Sequence, residues 1–222
     1  MSTDQTSTAA PSANPTGTTP AKAWEEMVDG NERFIAGKPR HPRQDVERRS
    51  KLVGNQFPHA ALFGCSDSRL AAEIIFDKGL GDLFVIRNAG QIISDSVLGS
   101  IEYAVEILHV PLIVVLGHDE CGAVAAAIQL DEPDHAALPP HIHHLVDQIL
   151  PAVRRVRAAG DDHGTPNPTD VGREHLRETV AGLLAGSEVI SDAVAAGTLA
   201  IVGANYVLAE GKVVPDTIVG NV

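Results

Sequence analysis

Two stretches carry the side chains that could do chemistry. Cys65-Ser66-Asp67-Ser68-Arg69 sets a thiol, a carboxylate and a guanidinium at alternate positions. Gly117-His118-Asp119-Glu120-Cys121 sets an imidazole three residues before a second thiol. Cys65 and Cys121 are the only cysteines in 222 residues. Two thiols, one imidazole and one carboxylate make a four-ligand zinc set: soft sulfur, borderline nitrogen and an exchangeable oxygen. Each residue also has a plainer reading. A cysteine is commonly a small buried hydrophobe, and two cysteines can form a disulfide. A histidine after a strand often only bonds the backbone, and Asp67 with Arg69 can be a structural ion pair. A third chemistry is open to the same residues, with Cys65 or Cys121 as a nucleophile partnered by His118.

The elements around these stretches argue for convergence. Ala60 to Gly64 is a short apolar run that reads as a buried strand, and Leu112 to Leu116 is the most strand-like run in the chain. Each delivers its reactive stretch at the strand's C-terminal end, where α/β sheets commonly place ligands. Cys121 to Leu130 then reads as an Ala-rich helix that starts at a candidate ligand. Leu83 to Ile86 is another core strand, and Thr198 to Val207 pairs back with Lys212 to Val214 as a hairpin. Helices are expected over Ala71 to Phe76, Ser96 to Leu108 with Asp95 as cap, Pro139 to Ala159 and Val171 to Ala195. Trp24 to Ile35 reads as an amphipathic helix outside the main sheet. Lys38 to Arg49 is basic and broken by Pro39 and Pro42, which suits a solvated connection. His141, His143 and His144 lack thiol or carboxylate partners at ligand spacing and read as solvated. The class is α/β: a mostly parallel central sheet flanked by helices, with an N-terminal helical arm and an antiparallel C-terminal edge hairpin.

Composition excludes several functions. A net charge of −12 argues against nucleic acid or an anionic membrane as partner. The apolar runs are shorter than the roughly 20 residues that a membrane span needs. Two cysteines make no secreted disulfide framework; as metal ligands they must stay reduced, which fits a cytoplasmic location. Residues 1–20 are rich in Ser, Thr, Ala and Pro without Lys or Arg, and read as a disordered tail rather than a secretory signal. Residues 21–222 then form one domain, of which 21–37 are the arm.

From about Ala21 onward the chain resembles the β-class carbonic anhydrases. CSDSR and GHDECGAV carry the resemblance, with FVIRNAG at 84–90 and SIEYAV at 100–105. It implies a zinc enzyme that reversibly hydrates carbon dioxide to bicarbonate and a proton by zinc-bound hydroxide. One Zn²⁺ per chain would be held by Cys65, His118 and Cys121, with Asp67 as exchangeable fourth ligand. Off the metal, Asp67 would pair with Arg69 and orient the hydroxide. Gln56, Phe84, Ala89, Tyr103 and the Gly122 N–H would form the substrate pocket. The pocket would be shared between two subunits, so the chain is expected to be a homo-oligomer with a dimer as minimum unit. The arm would lie across a neighbouring subunit. A regulatory bicarbonate site of some members is matched at Arg87 and Tyr206, but Leu62 stands in place of its Trp. Hydrolysis of carbon disulfide or carbonyl sulfide, and a non-catalytic zinc module, are the alternatives on the same scaffold.

Overall fold

The computed structural model describes residues 17–160 and 164–222. Most of the expected tail, residues 1–16, lies outside that range. One five-stranded sheet organises the chain: β1 (Ala60–Cys65), β2 (Leu83–Asn88), β3 (Leu112–His118), β4 (Ala200–Val207) and β5 (Lys212–Val219), in the order β2-β1-β3-β4-β5. The first four strands are parallel and β5 is antiparallel to β4, as the sequence predicts. β1 and β3 are buried along their whole length, which is why they read as unbroken aliphatic runs rather than as alternating ones.

Side chains alternate between two cores across the sheet. Ala60, Leu62, Leu112, Val114 and Val202 pack with Ala23 and Met27 of α1 (Pro20–Ile35), Ile75 of α3 (Ala72–Ile75), Val124 and Ile128 of α5 (Gly122–Leu130) and Val153 of α7 (Leu150–Ala159). Ala61, Phe63, Ile113, Val115 and Ile201 pack with Val97 and Ile101 of α4 (Asp95–Glu102), Leu176, Val180 and Leu183 of α8 (Pro168–Gly186) and Ile190 of α9 (Glu188–Ala195). Among the described residues, no helix is long and apolar enough to cross a membrane.

Several elements depart from expectation for local reasons. The 139–159 helix is two: α6 (Pro140–Asp147) ends at Gln148, and α7 restarts with Pro151 in its first turn, where a missing N–H costs nothing. The 171–195 helix also splits, at Ser187. That residue is extended (φ −144°, ψ 116°), and its hydroxyl accepts the Ile190 N–H to cap α9. The helix after β2 is α-helical only to Glu102 and continues as a π-helical turn, Tyr103–Ile107. Ser94, not Asp95, occupies its N-cap position.

The N-terminal half is tied down more firmly than its polarity suggests. α1 docks on its own domain through buried Asn31, whose amide donates to Gly211 O (2.8 Å) and Ile75 O (3.1 Å) and accepts from Val213 N–H (2.9 Å). The basic connection is not simply solvated. It holds a short helix, α2 (Val46–Lys51), and two buried aspartates seize it. Asp77 accepts from the Arg33 guanidinium and from the N–H groups of Arg40 and His41. Asp82, fully buried, takes Arg43 in a bidentate fork at 2.6–2.9 Å. Buried carboxylates persist only when paired in this way.

Candidate metal centre

β1 ends at Cys65 and β3 at His118, and parallel pairing of the two strands brings these ends side by side. The chain then turns through Glu120, at φ +52°, to Cys121, the N-cap of α5. Cys65 Sγ, a His118 ring nitrogen and Cys121 Sγ all lie within 4.8 Å of one another, and all three residues are buried. Among the described residues no other such cluster forms. His141, His143 and His144 sit exposed on the first turns of α6.

The backbone prepares these atoms for a cation. His118 Nδ1–H donates to Asp119 O at 2.7 Å, so the ring's lone pair is on Nε2. Nε2 is buried and has no hydrogen-bond partner, a costly state unless something else binds it. Cys65 Sγ accepts the Gly90 N–H at 3.4 Å, and Cys121 stands at the N-cap position of α5. Amides aimed at sulfur favour thiolate. The Cys65 thiol is pulled well below its ordinary pKa, first by neighbouring Cys121 and more weakly by the Gly90 N–H. Cys121 is pushed up for the reciprocal reason: it is the thiol that donates to Cys65. Two buried sulfurs beside an unpartnered imidazole nitrogen are a donor set for a soft-to-borderline dication, and zinc fits it.

Asp67 stands apart from the three-ligand cluster. Arg69 grips it in a fork, Nε to Oδ1 at 2.9 Å and Nη2 to Oδ2 at 2.7 Å, and the Arg69 N–H adds a third bond at 2.9 Å. The guanidinium holds this carboxyl far below the usual carboxylate range. Of the two resting places open to Asp67 in the sequence, the structure has it on Arg69. Arg69 Nη2 also reaches Glu120 O at 3.2 Å, which links the two reactive stretches.

The residues expected at the substrate side are more scattered. Gln56 and Tyr103 line one groove with Leu52, Val53, Phe57, Ile107 and Leu108, and none of the three cluster residues lines it. Phe84 meets the Tyr103 ring at 6.1 Å between centroids. Ala89 is exposed just past β2, and Gly122 is exposed at the start of α5. Arg87 spends its guanidinium on Cys65 O (2.8 Å) and Asp67 O (2.6 Å), while Leu62 and Tyr206 are buried in the core.

Three positions carry structure here that sequence reasoning missed. Asp119 Oδ1 accepts the Leu208 N–H at 2.9 Å and so fixes the loop between His118 and Cys121 to β4's exit. Asn88 closes the loop after β2 by exchanging two hydrogen bonds with the Ile92 backbone, at 2.6 and 2.7 Å. His175, buried on α8, reaches the same loop at Gly90 O, 2.7 Å away. The Asn-Ala-Gly-Gln run signals a turn at that loop, but nothing local marks a helical histidine as its partner.

Comparison with known proteins agrees with the geometry. The carbonic anhydrase family profile matches residues 60–213. Carbonic anhydrase 2 of Mycobacterium tuberculosis is 49% identical, over 92% of this chain and 97% of its own. A carbonic anhydrase of Mycolicibacterium smegmatis is 50% identical over 87% of this chain and 92% of its own. Among solved structures, the β-carbonic anhydrase CcaA superposes with a TM-score of 0.67 at 25% identity, over 90% and 92% of the two chains. A tetrameric β-carbonic anhydrase of the filamentous ascomycete Sordaria macrospora gives 0.65 at 27% identity, over 86% and 95%. The chain belongs to the carbonic anhydrase family, in its β class.

Proposed function

We propose a division of labour for the reaction this zinc enzyme catalyses, the reversible hydration of carbon dioxide to bicarbonate and a proton. The observation that carries it is the convergence of Cys65, His118 and Cys121 with His118 Nε2 buried and unpartnered. These three residues would hold one zinc per chain, and Asp67 would be the fourth ligand if it left Arg69. Bound there, zinc supplies Lewis acidity that makes a water-derived nucleophile available near neutral pH.

The chain's own groups do the rest. Asp67, fixed by the Arg69 fork, accepts a hydrogen bond from the nucleophile's O–H and turns a lone pair toward the substrate carbon. The Gly122 N–H at the start of α5 and the Gln56 amide donate to the substrate oxygens, where negative charge grows. Phe84, Ala89 and Tyr103 keep the pocket apolar, which suits a small substrate without charge.

We further propose that two copies complete this pocket, so that a homodimer is the smallest active unit. Support comes from the Gln56 groove, which no cluster residue lines. It also comes from the exposed apolar side chains there: Val53 is 86% exposed, Ile107 57% and Tyr103 45%. Apolar area of this kind ordinarily marks a protein interface. The tetrameric Sordaria relative is consistent with self-association. Residues 21–222 act as one catalytic domain, and the chain works in the cytoplasm, where its ligand thiols stay reduced.

One paired measurement tests the reading: zinc stoichiometry and stopped-flow hydration on the same sample. About one zinc per chain with hydration that tracks zinc content is the expected result. Full zinc without hydration, or hydration without zinc, contradicts it. Carbonyl sulfide and carbon disulfide, assayed in parallel, should turn over far more slowly.

A further inference from the structure

The loop after β2 touches the metal centre on one side and α8 on the other. Gly90 is its middle residue, in the left-handed region at φ +80°. Its N–H points to Cys65 Sγ, 3.4 Å away. Its carbonyl, in the next peptide plane, accepts from His175 Nε2 at 2.7 Å. A carbonyl only accepts, so the proton is on Nε2. His175 is 4% exposed, and burial pushes its pKa below the ordinary imidazole value, which keeps the ring neutral and in that tautomer.

Gly90 cannot settle elsewhere at little cost. A Cβ there would lie 2.8 Å from Ala123 Cβ and 3.2 Å from Ile149 Cδ1, so α5 and the residue before α7 wall the loop in. Asn88 clips the loop shut through Ile92, and Ser66 N–H bonds Asn88 O at 2.9 Å. These contacts fix the loop's position. The tilt of the Gly90 peptides, about a Cα without a side chain, is held weakly by the Gln91 N–H, which reaches Asn88 O at 3.4 Å. His175 supplies the shorter bond to the same peptide plane. A buried, neutral donor at 2.7 Å holds the 90–91 plane, and through it the direction in which the preceding N–H faces the sulfur.

We propose that His175 is a positioning residue for the metal centre: by holding Gly90 O, it aims the Gly90 N–H at Cys65 Sγ and so sets the strength of the bond from Cys65 to zinc. The inference rests on the zinc site described above. It assigns His175 no contact with substrate and no proton to transfer. An N–H···S bond draws charge from the sulfur, which tunes the metal–sulfur bond and holds the ligand in its binding direction. Outer partners of this kind are commonly worth 10–100-fold in metal affinity.

Three variants and one spectrum test it, with zinc affinity measured by chelator competition and sulfur-to-metal charge transfer read in the cobalt-substituted protein. His175→Leu should weaken zinc binding by about 10–100-fold and shift the charge-transfer band. His175→Gln, whose amide N–H can reach the same carbonyl, should recover most of both. Leu176→Ala opens a cavity in the same helix, on the side of the other core, and should leave affinity and band unchanged. In the unmutated protein loaded with an NMR-active cadmium isotope, the Gly90 amide proton should couple to the metal through the Cys65 sulfur; this needs no variant to fold. Wild-type affinity and spectrum in His175→Leu, equal losses in Leu176→Ala, or absence of the Gly90 coupling would overturn the assignment while the zinc site stood. A wild-type protein that takes up no zinc would overturn both.

Discussion

The metal side and the substrate side of this site are built on opposite plans. Cys65, His118 and Cys121 are buried, come from the ends of two adjacent parallel strands, and meet within one chain. A backbone amide already faces the Cys65 sulfur, and a backbone carbonyl fixes the histidine tautomer. Gln56 and Tyr103 are exposed, come from a connection and a π-helical turn, and share a groove with apolar side chains that have no cover. The difference follows from what each side must bind. A dication needs donors held rigidly, and the sheet supplies that because pairing runs right up to Cys65 and His118 in two fully buried strands. A small neutral substrate needs a dry wall and a few donors, and a second copy of the chain can supply part of that wall. On the proposal above, the scaffold would make one half of the site by folding and leave the other half to assembly.

The largest expected effect tests the self-sufficiency of the metal side. Cys121→Ser replaces a thiolate with a hydroxyl that stays protonated near neutral pH and binds zinc poorly. Most of the metal should be lost on dialysis, and hydration with it, while the sheet remains folded because Cys121 lies outside the strands, at the N-cap position of α5, with no side-chain cap bond to lose. Metal analysis beside circular dichroism checks this. Full zinc retention would remove Cys121 from the centre.

Gln56→Ala tests the other plan. Gln56 is exposed and makes no hydrogen bond within the described chain, so stability and zinc content should stay within error of wild type. If its amide donates to a substrate oxygen in the assembled pocket, kcat/KM should fall on the order of 10²-fold. Wild-type kinetics with normal zinc would make Gln56 a plain turn residue. Activity measured across dilution, with sedimentation on the same samples, sharpens the comparison: loss of the oligomer should abolish hydration but leave zinc bound.

The metal side was also the more legible side in the sequence. Each cysteine comes just after a short apolar run that reads as a buried strand, and parallel strands deliver their following loops at one edge. That logic places Cys65, His118 and Cys121 without any structure. The substrate side gave no such signal, because Gln56 sits in a polar connection whose anchors are remote. Arg43 pairs with Asp82, and Arg40 and His41 with Asp77, across the whole of β1. A run of basic residues reads as solvated when its acidic partners are distant in the chain. Breaks at Gln148 and Ser187 were hidden because helical spacing continues across them; Pro151 was the available sign at the first. The π-helical turn at Tyr103 cannot be read at all, since a π-turn uses the same residue types as the helix it extends. His175 belongs to this class: only the tertiary fold brings it to Gly90.

The smallest expected effect concerns the anchor of the connection that leads to Gln56. Asp77 is 3% exposed. Burial alone would raise its pKa, but the Arg40 and His41 amides and the Arg33 guanidinium outweigh burial and hold it below the ordinary carboxylate value. A carboxyl whose folded pKa is depressed stabilises the fold above its unfolded pKa, about 4. That contribution is lost as pH falls through the lower folded value. Asp77→Asn keeps the shape but gives up the charge, and should cost about 1–3 kcal/mol at neutral pH. The gap between wild type and variant should be flat from neutral pH upward and should close only in acid, below about pH 4. Denaturant titrations at several pH values check this, and a gap that widens as pH falls would contradict the sign. The amides that Asp77 holds, Arg40 and His41, should exchange hydrogen faster in the variant, while those of β1 and β3 should not. Zinc affinity should be unchanged, because no cluster residue touches this anchor. A variant that loosened the metal centre as much as the connection would show that the two sides of the site are not built independently after all.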